Sequence, residues 1–215
     1  MKKFLLIAMI LFSCLNSTFA YEKISAEDAL NRLKDGNKRF VTQTETHPDN
    51  TLERRREMLK GQHPFAVILS CSDSRVPLEL IFDQGLGDLF EIKNAGNVLD
   101  EHVVGSIEYA VMHCGVKLIV IMGHQDCGAI KATLSGKHET KYIKSLEDSI
   151  KPAIKDCKRQ KLKINSDNVV KAHIKQDIRE LLDKDIDLVK YMKKHDVKIV
   201  PAYYHLDTGV VEFLK

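Results

Sequence analysis

Four short strand-like segments, at residues 65–70, 89–93, 117–122 and 197–203, punctuate this chain, and helically spaced segments lie between them. The first is a continuous apolar run, as expected of a strand buried on both faces of a parallel sheet. The third is the most apolar, Leu118-Ile119-Val120-Ile121. Between the runs, 77–83 predicts a short helix with Pro77 in its first turn. Residues 102–114 carry Val103, Ile107, Ala110 and Val111 on one face and stop at Gly115. A further helix is expected over 127–134, and two long lysine-rich helices over roughly 141–159 and 166–194.

Ahead of the first run, Ser25 and Asp28 make a capping-box start for a helix with Ala29, Leu33 and Phe40 on one face. The polar stretch 43–50 breaks it, and 52–60 resembles a second helix. After the last run, Asp207-Thr208-Gly209 marks a turn, and 210–214 is expected as an antiparallel edge strand. Strands separated by helices imply right-handed crossovers. The expected class is α/β, a mostly parallel sheet flanked by helices. Its two N-terminal helices precede the core pattern and are expected to extend over a partner subunit.

The first twenty residues follow a different pattern. Lys2 and Lys3 precede an apolar run over 4–12, and a polar stretch then ends in Thr18-Phe19-Ala20. This is the build of a secretory signal peptide, with cleavage expected after Ala20 and a periplasmic or secreted location. The run is too short for a permanent span, so no membrane association is expected once it is removed. Lipidation of Cys14 ranks second, because bulky Phe12 sits where such a site prefers a smaller residue. Residues 21–215 then form one domain, without repeats, linkers or low-complexity segments.

Composition narrows the partners. At 215 residues, with 44% hydrophobic and 29% charged, the chain is an ordinary globular protein. Its charge of +3 falls to about +1 without Lys2 and Lys3, which offers no electrostatic case for nucleic acid. After cleavage four cysteines remain, Cys71, Cys114, Cys127 and Cys157, which in an exported chain permit three disulfide pairings.

Local context favours another use for two of them. Ligands of open parallel sheets bind at the carboxyl ends of the strands. Cys71-Ser72-Asp73-Ser74-Arg75 follows the first run, and Gly123-His124-Gln125-Asp126-Cys127-Gly128 follows the third. His124 and Cys127, three apart where a helix opens, can meet at one point, and imidazole and thiolate are ligands zinc prefers. Cys71 adds a second thiolate if the two strands are neighbours. Three protein ligands leave one tetrahedral position open, the pattern of a catalytic zinc. A Cys71–Cys127 disulfide is the rival reading. Asp73 and Arg75 can form a bidentate pair, leaving Asp73 either to orient a water on the metal or to ligate the metal itself. Cys114 reads as buried filler and Cys157 as a surface thiol.

Three blocks in this order, Cys71-Ser72-Asp73-Ser74-Arg75-Val76-Pro77, Lys93-Asn94-Ala95-Gly96-Asn97 and Gly123-His124-x-x-Cys127-Gly128, resemble the signatures of the beta-class carbonic anhydrases. The resemblance runs from about Ala26 to the end. It implies one zinc ion per subunit on Cys71, His124 and Cys127, with Asp73 and Arg75 as the catalytic pair beside it. It implies that Gln62 binds substrate, that Phe90, Ala95 and Tyr109 form an apolar pocket wall, and that the Gly128 N–H receives an oxygen. It also implies a homodimer, or a dimer of dimers, acting on carbon dioxide and bicarbonate by attack of a zinc-activated hydroxide. Some bacterial members carry an inhibitory bicarbonate site built on a tryptophan and an arginine. Ile68 and Lys93 stand at those positions here, so that site is not expected. His102 is a candidate proton carrier. Two alternatives stay open: a carbon disulfide or carbonyl sulfide hydrolase, and a non-catalytic zinc-binding or redox-sensing module.

Overall fold

The computed structural model describes residues 24–137 and 140–215. The signal-peptide and Cys14 readings therefore lie outside the described residues. Five strands form one sheet: β1 (Ala66–Cys71), β2 (Leu89–Asn94), β3 (Leu118–His124), β4 (Lys198–Tyr204) and β5 (Val211–Phe213). Their order is β2-β1-β3-β4-β5, with the first four parallel and β5 antiparallel to β4.

The unbroken apolar runs have a plain cause. Successive side chains of a strand point to opposite faces. Val67, Leu69, Ile119 and Ile121 enter one core, while Ala66, Ile68, Leu118 and Val120 enter another. The first core is closed by α4 (Glu101–Glu108), α5 (Gly128–Ser135), α6 (Lys141–Arg159) and α7 (Ser166–Lys184). The second is closed by α1 (Ala26–Thr42) and α3 (Leu78–Ile81). Between α1 and α3 lies a short α2 (Leu52–Glu57), continued by a 3₁₀ turn over Met58–Lys60.

α1 starts as expected: Ser25 is its N-cap, and its side chain accepts from the Asp28 N–H. It lies against its own chain. At Gly36 an added Cβ would stand 1.7 Å from the Phe82 carbonyl oxygen, so only glycine permits this approach. Asn37 next to it donates to the Ile81 and Gly209 carbonyls and accepts from the Val211 N–H, tying α1 to α3 and β5. The expectation that both N-terminal helices serve a partner thus narrows, since α1 covers this chain's own sheet. α2 and the turn after it leave Leu52 and Leu59 exposed, at 54% and 87%.

Other boundaries differ for physical reasons. The helix expected over 166–194 is broken at Asp185, whose side chain accepts from the Leu188 N–H and starts α8 (Ile186–His195). The segment after α4 continues as a π turn over Tyr109–His113. Cys157, expected at the surface, is fully buried and its thiol donates to the Asn168 carbonyl, because Ile150, Ala153 and Cys157 share the core face of α6. Cys114 is only half-buried. Among the described residues no helix is long and apolar enough to cross a membrane.

Candidate metal centre

β1 and β3 run one or two residues beyond the apolar runs, so Cys71 and His124 are the last residues of their strands. The two strands are neighbours, with Ser70 paired to Met122, which places Cys71 and His124 at the same edge of the sheet. Cys127 is the N-cap of α5 and turns back toward them. One ligand atom from each lies within 4.8 Å of the other two, and all three residues are buried. Among the described residues no other such group of three metal-ligating side chains occurs.

The donor set fits zinc. His124 Nδ1 is 2.8 Å from the Gln125 carbonyl, which can only accept, so the ring proton sits on Nδ1. His124 Nε2 then offers its lone pair to the centre, and this buried atom has no hydrogen-bond partner. Cys71 Sγ accepts from the Gly96 N–H at 3.3 Å. The Cys71 thiol is held down chiefly by its hydrogen bond to Cys127, and Cys127 is pushed up by the same contact. The two sulfurs thus share one proton, which a bound divalent cation displaces. Both cysteines are free, against the disulfide rival.

Asp73 and Arg75 form the expected fork. Arg75 Nε donates to Oδ1 at 2.9 Å and Nη2 to Oδ2 at 2.8 Å, while the Arg75 backbone N–H also reaches Oδ1 at 3.0 Å. The Arg75 hydrogen bonds hold the Asp73 carboxyl well below the usual carboxylate range, which favours its ionised, accepting form. Its Oδ2 stands 3.8 Å from His124 Nε2, at the edge of the centre.

The residues matched to substrate contacts fall into two groups. Gly128 opens α5 immediately after Cys127, and an added Cβ there would meet nothing within 4 Å, so the first turn of α5 is uncrowded on that side. Ala95 follows β2 directly and adjoins Gly96, which touches Cys71 Sγ. Phe90 lies elsewhere. It pairs with Val67, whereas Asn94 is the residue level with Cys71, and four residues of strand amount to about 13 Å. Tyr109, 49% exposed, has its ring 6.1 Å from that of Phe90. Tyr109 also shares a hollow of about 500 Å³ with Gln62, Met58, His63 and His113. Gln62, Phe90 and Tyr109 therefore gather toward the amino ends of the strands, and one chain does not bring them to its own Cys71.

Two groups escaped the sequence. The Gln125 carbonyl orients His124, and a backbone atom leaves no signature. The Gly96 N–H serves Cys71 from β2's end, and Gly96 holds φ +76, which suits glycine alone; its place in a matched block was the available signal. Lys93 donates to the Val76 carbonyl and Ile68 is fully buried.

A carbonic anhydrase family model matches residues 66–211. A carbonic anhydrase of Mycolicibacterium smegmatis is 39% identical over 184 residues, spanning 84% of this chain and 89% of its own. Carbonic anhydrase 2 of Mycobacterium tuberculosis is 37% identical over 181 residues, spanning 82% and 87%. Among solved structures, a beta-carbonic anhydrase of Aspergillus fumigatus superposes with a TM-score of 0.70 at 24% identity, over 88% of this chain and 90% of its own. A tetrameric beta-carbonic anhydrase of Sordaria macrospora gives 0.68 at 23% identity, over 74% and 85%. These two likenesses speak to the fold. With the matched family and two near-full-length relatives, they establish that the chain belongs to the carbonic anhydrases, zinc enzymes that hydrate carbon dioxide, and has the beta-class fold.

Proposed function

We propose that Cys71, His124 and Cys127 hold the zinc, that Asp73 and Arg75 govern the reacting water, and that a second copy of the chain completes the pocket. Zinc on such a set supplies the acidity that lowers the pKa of water to about 7. The protein supplies direction. Asp73, held toward its ionised form and clamped by Arg75, accepts a hydrogen bond from the reacting water and so fixes where its lone pair points. The Gly128 N–H is one of the donors in the first turn of α5 that have no partner within the helix, and it follows Cys127 directly. It receives the oxygen on which negative charge develops as carbon dioxide becomes bicarbonate. Ala95 gives the apolar substrate a dry contact next to the centre.

The observation that carries the two-copy reading is the separation of Gln62, Phe90 and Tyr109 from Cys71 within one chain. β2 is one of the two edge strands of the sheet, and the exposed Leu52, Leu59 and Tyr109 leave apolar surface on segments near it. A two-fold pairing buries that surface and presents one copy's amino-end residues to the other's metal centre. A complementation experiment tests this. Cys71→Ser and the double variant Gln62→Ala, Phe90→Ala are each expected to be nearly inactive. Co-expressed and purified as a mixed dimer, they contain one wholly intact site out of two and should recover about half the wild-type hydration rate. A mixed dimer as inactive as its parents would show that each chain builds its site alone.

We further infer that the chain is exported and works as residues 21–215. Lys2, Lys3, the apolar run over 4–12 and Thr18-Phe19-Ala20 support it. Protein recovered from outside the cytoplasm should begin at Tyr21; an intact start at Met1 there would sink the idea.

A further inference from the structure

Beside the turn that holds Gly96, α7 places two titratable side chains in the core. His173 is 1% exposed and Asp177, one helical turn on, is also 1% exposed. Nothing in the reaction just described uses them. His173 Nε2 lies 3.0 Å from the Gly96 carbonyl oxygen and 3.5 Å from Asp177 Oδ2. Asp177 Oδ2 accepts from Asn97 Nδ2 at 3.0 Å. His173 Nδ1 is buried without any hydrogen-bond partner.

These contacts fix the chemistry of the ring. Burial lowers the His173 pKa to about 4, so the imidazole is neutral and carries one proton. The Gly96 carbonyl can only accept, which puts that proton on Nε2. Burial pushes Asp177 well above the usual carboxylate range, and its hydrogen bond from Asn97 pulls the other way. A core position that leaves a ring nitrogen unsatisfied is costly. The histidine is held there by what its other nitrogen does.

What it grips is a residue whose backbone N–H reaches a candidate ligand sulfur. Gly96 donates its N–H to Cys71 Sγ while its own carbonyl is taken by His173. Gly96 sits at φ +76, and an added Cβ would stand 2.9 Å from Ala129 Cβ and 3.1 Å from Ile150 Cδ1. Glycine is therefore required, and glycine is also the residue whose backbone swings most freely. An anchor on its carbonyl converts that freedom into a fixed N–H direction. We propose that His173, backed by Asp177 and Asn97, is a positioning residue that locks the Gly96 backbone so that its N–H holds and electronically tempers the Cys71 thiolate.

The proposal rests on Cys71 being a zinc ligand. An N–H donated to a metal-bound thiolate withdraws charge from sulfur, which sharpens the metal's acidity and fixes the ligand's rotamer. Two polar variants separate reach from packing. His173→Gln carries an amide donor to about the position of Nε2, whereas His173→Asn reaches only the position of Nδ1. His173→Asn is expected to bind zinc about 10- to 100-fold more weakly in a chelator competition. Its pH midpoint of activity should move to higher pH, and its cobalt-substituted form should show the sulfur-to-metal charge-transfer band at longer wavelength. His173→Gln should stay close to wild type in all three. Equal behaviour of the two variants, whether intact or impaired, overturns the proposal. The wild-type protein gives a test independent of any variant: the ¹⁵N resonances of His173 near neutral pH should report an Nε2-protonated neutral ring, and an Nδ1-protonated ring would refute the anchor. If Cys71→Ser keeps its zinc, the site assignment itself fails. If that variant loses zinc while the two His173 variants match, only this inference fails.

Discussion

Cys71→Ser is expected to lose stoichiometric zinc and, with it, carbon dioxide hydration. Serine is nearly the same size, so the buried end of β1 still packs, but its hydroxyl does not ionise at neutral pH and is a poor soft ligand for zinc. The expected scale follows from a comparison. Removing a hydrogen-bond partner of a ligand already costs about 10- to 100-fold in affinity or activity, so removing the ligand itself should exceed about 100-fold. The Gly96 N–H, left with a neutral oxygen to face, loses its charge-assisted acceptor as well. Metal content by elemental analysis and stopped-flow hydration, measured on the same sample, check this. A variant that holds one zinc per chain would mean that Cys71 is not a ligand.

Arg75→Ala should behave oppositely in metal content: zinc retained, turnover lost. Arg75 touches none of the three candidate ligands by any hydrogen bond; its fork closes on Asp73, and it adds a long contact to the Asp126 carbonyl at 3.4 Å. Without the fork, Asp73 keeps its charge but not its direction. Its Oδ2 already stands 3.8 Å from His124 Nε2, so a freed carboxylate can swing onto the metal and close the fourth position. The loss expected is about 10²- to 10³-fold in kcat/KM, the scale for removing one oriented polar group from a reacting centre. The sign of the pH effect is also fixed. Asp73 is held below the usual carboxylate range by Arg75, so any stability from this pair is present above the unfolded carboxylate pKa, about 3.9, and is lost as pH falls below it. Removing Arg75 lets that pKa rise. The variant should therefore show a protonation of Asp73 in the acid range that the parent lacks, visible in the carboxyl ¹³C titration. Full activity with an unshifted Asp73 would remove the pair from the mechanism.

Much of the fold is legible because β1 and β3 are buried on both faces along their whole length. A strand with two buried faces leaves an unbroken apolar run, as at Leu118–His124, and that pattern needs no partner to be read. Boundaries blurred where a polar residue belongs to the element. His124 ends β3 but reads as loop, and Asp185 interrupts a helical period that continues on either side of it. Cys157 was misjudged from its charged neighbours, although Ile150 and Ala153, seven and four residues back, marked its face as buried. The candidate ligands were legible because ligand chemistry is a property of residue type, and because parallel sheets collect their sites at strand ends.

The order of strands and helices along the chain, the His124–Cys127 spacing and the Asp73–Arg75 fork are short-range, set by periodicity or by residues a few positions apart, whereas Cys71 joins His124 only through the β1–β3 pairing. The short-range features the sequence determined alone. The register of β2 against β1 is a different kind of fact, because it depends on packing between segments with no marker of their relative offset. That register puts Asn94 beside Cys71 and leaves Phe90 about 13 Å behind, so it decides that Phe90 lies far along the sheet from its own chain's Cys71. The tie between His173 and Gly96 spans 77 positions and runs through a backbone carbonyl, which carries no residue code at all. Only the folded chain brings those atoms to 3.0 Å, because contacts across such separations are fixed by how whole elements pack.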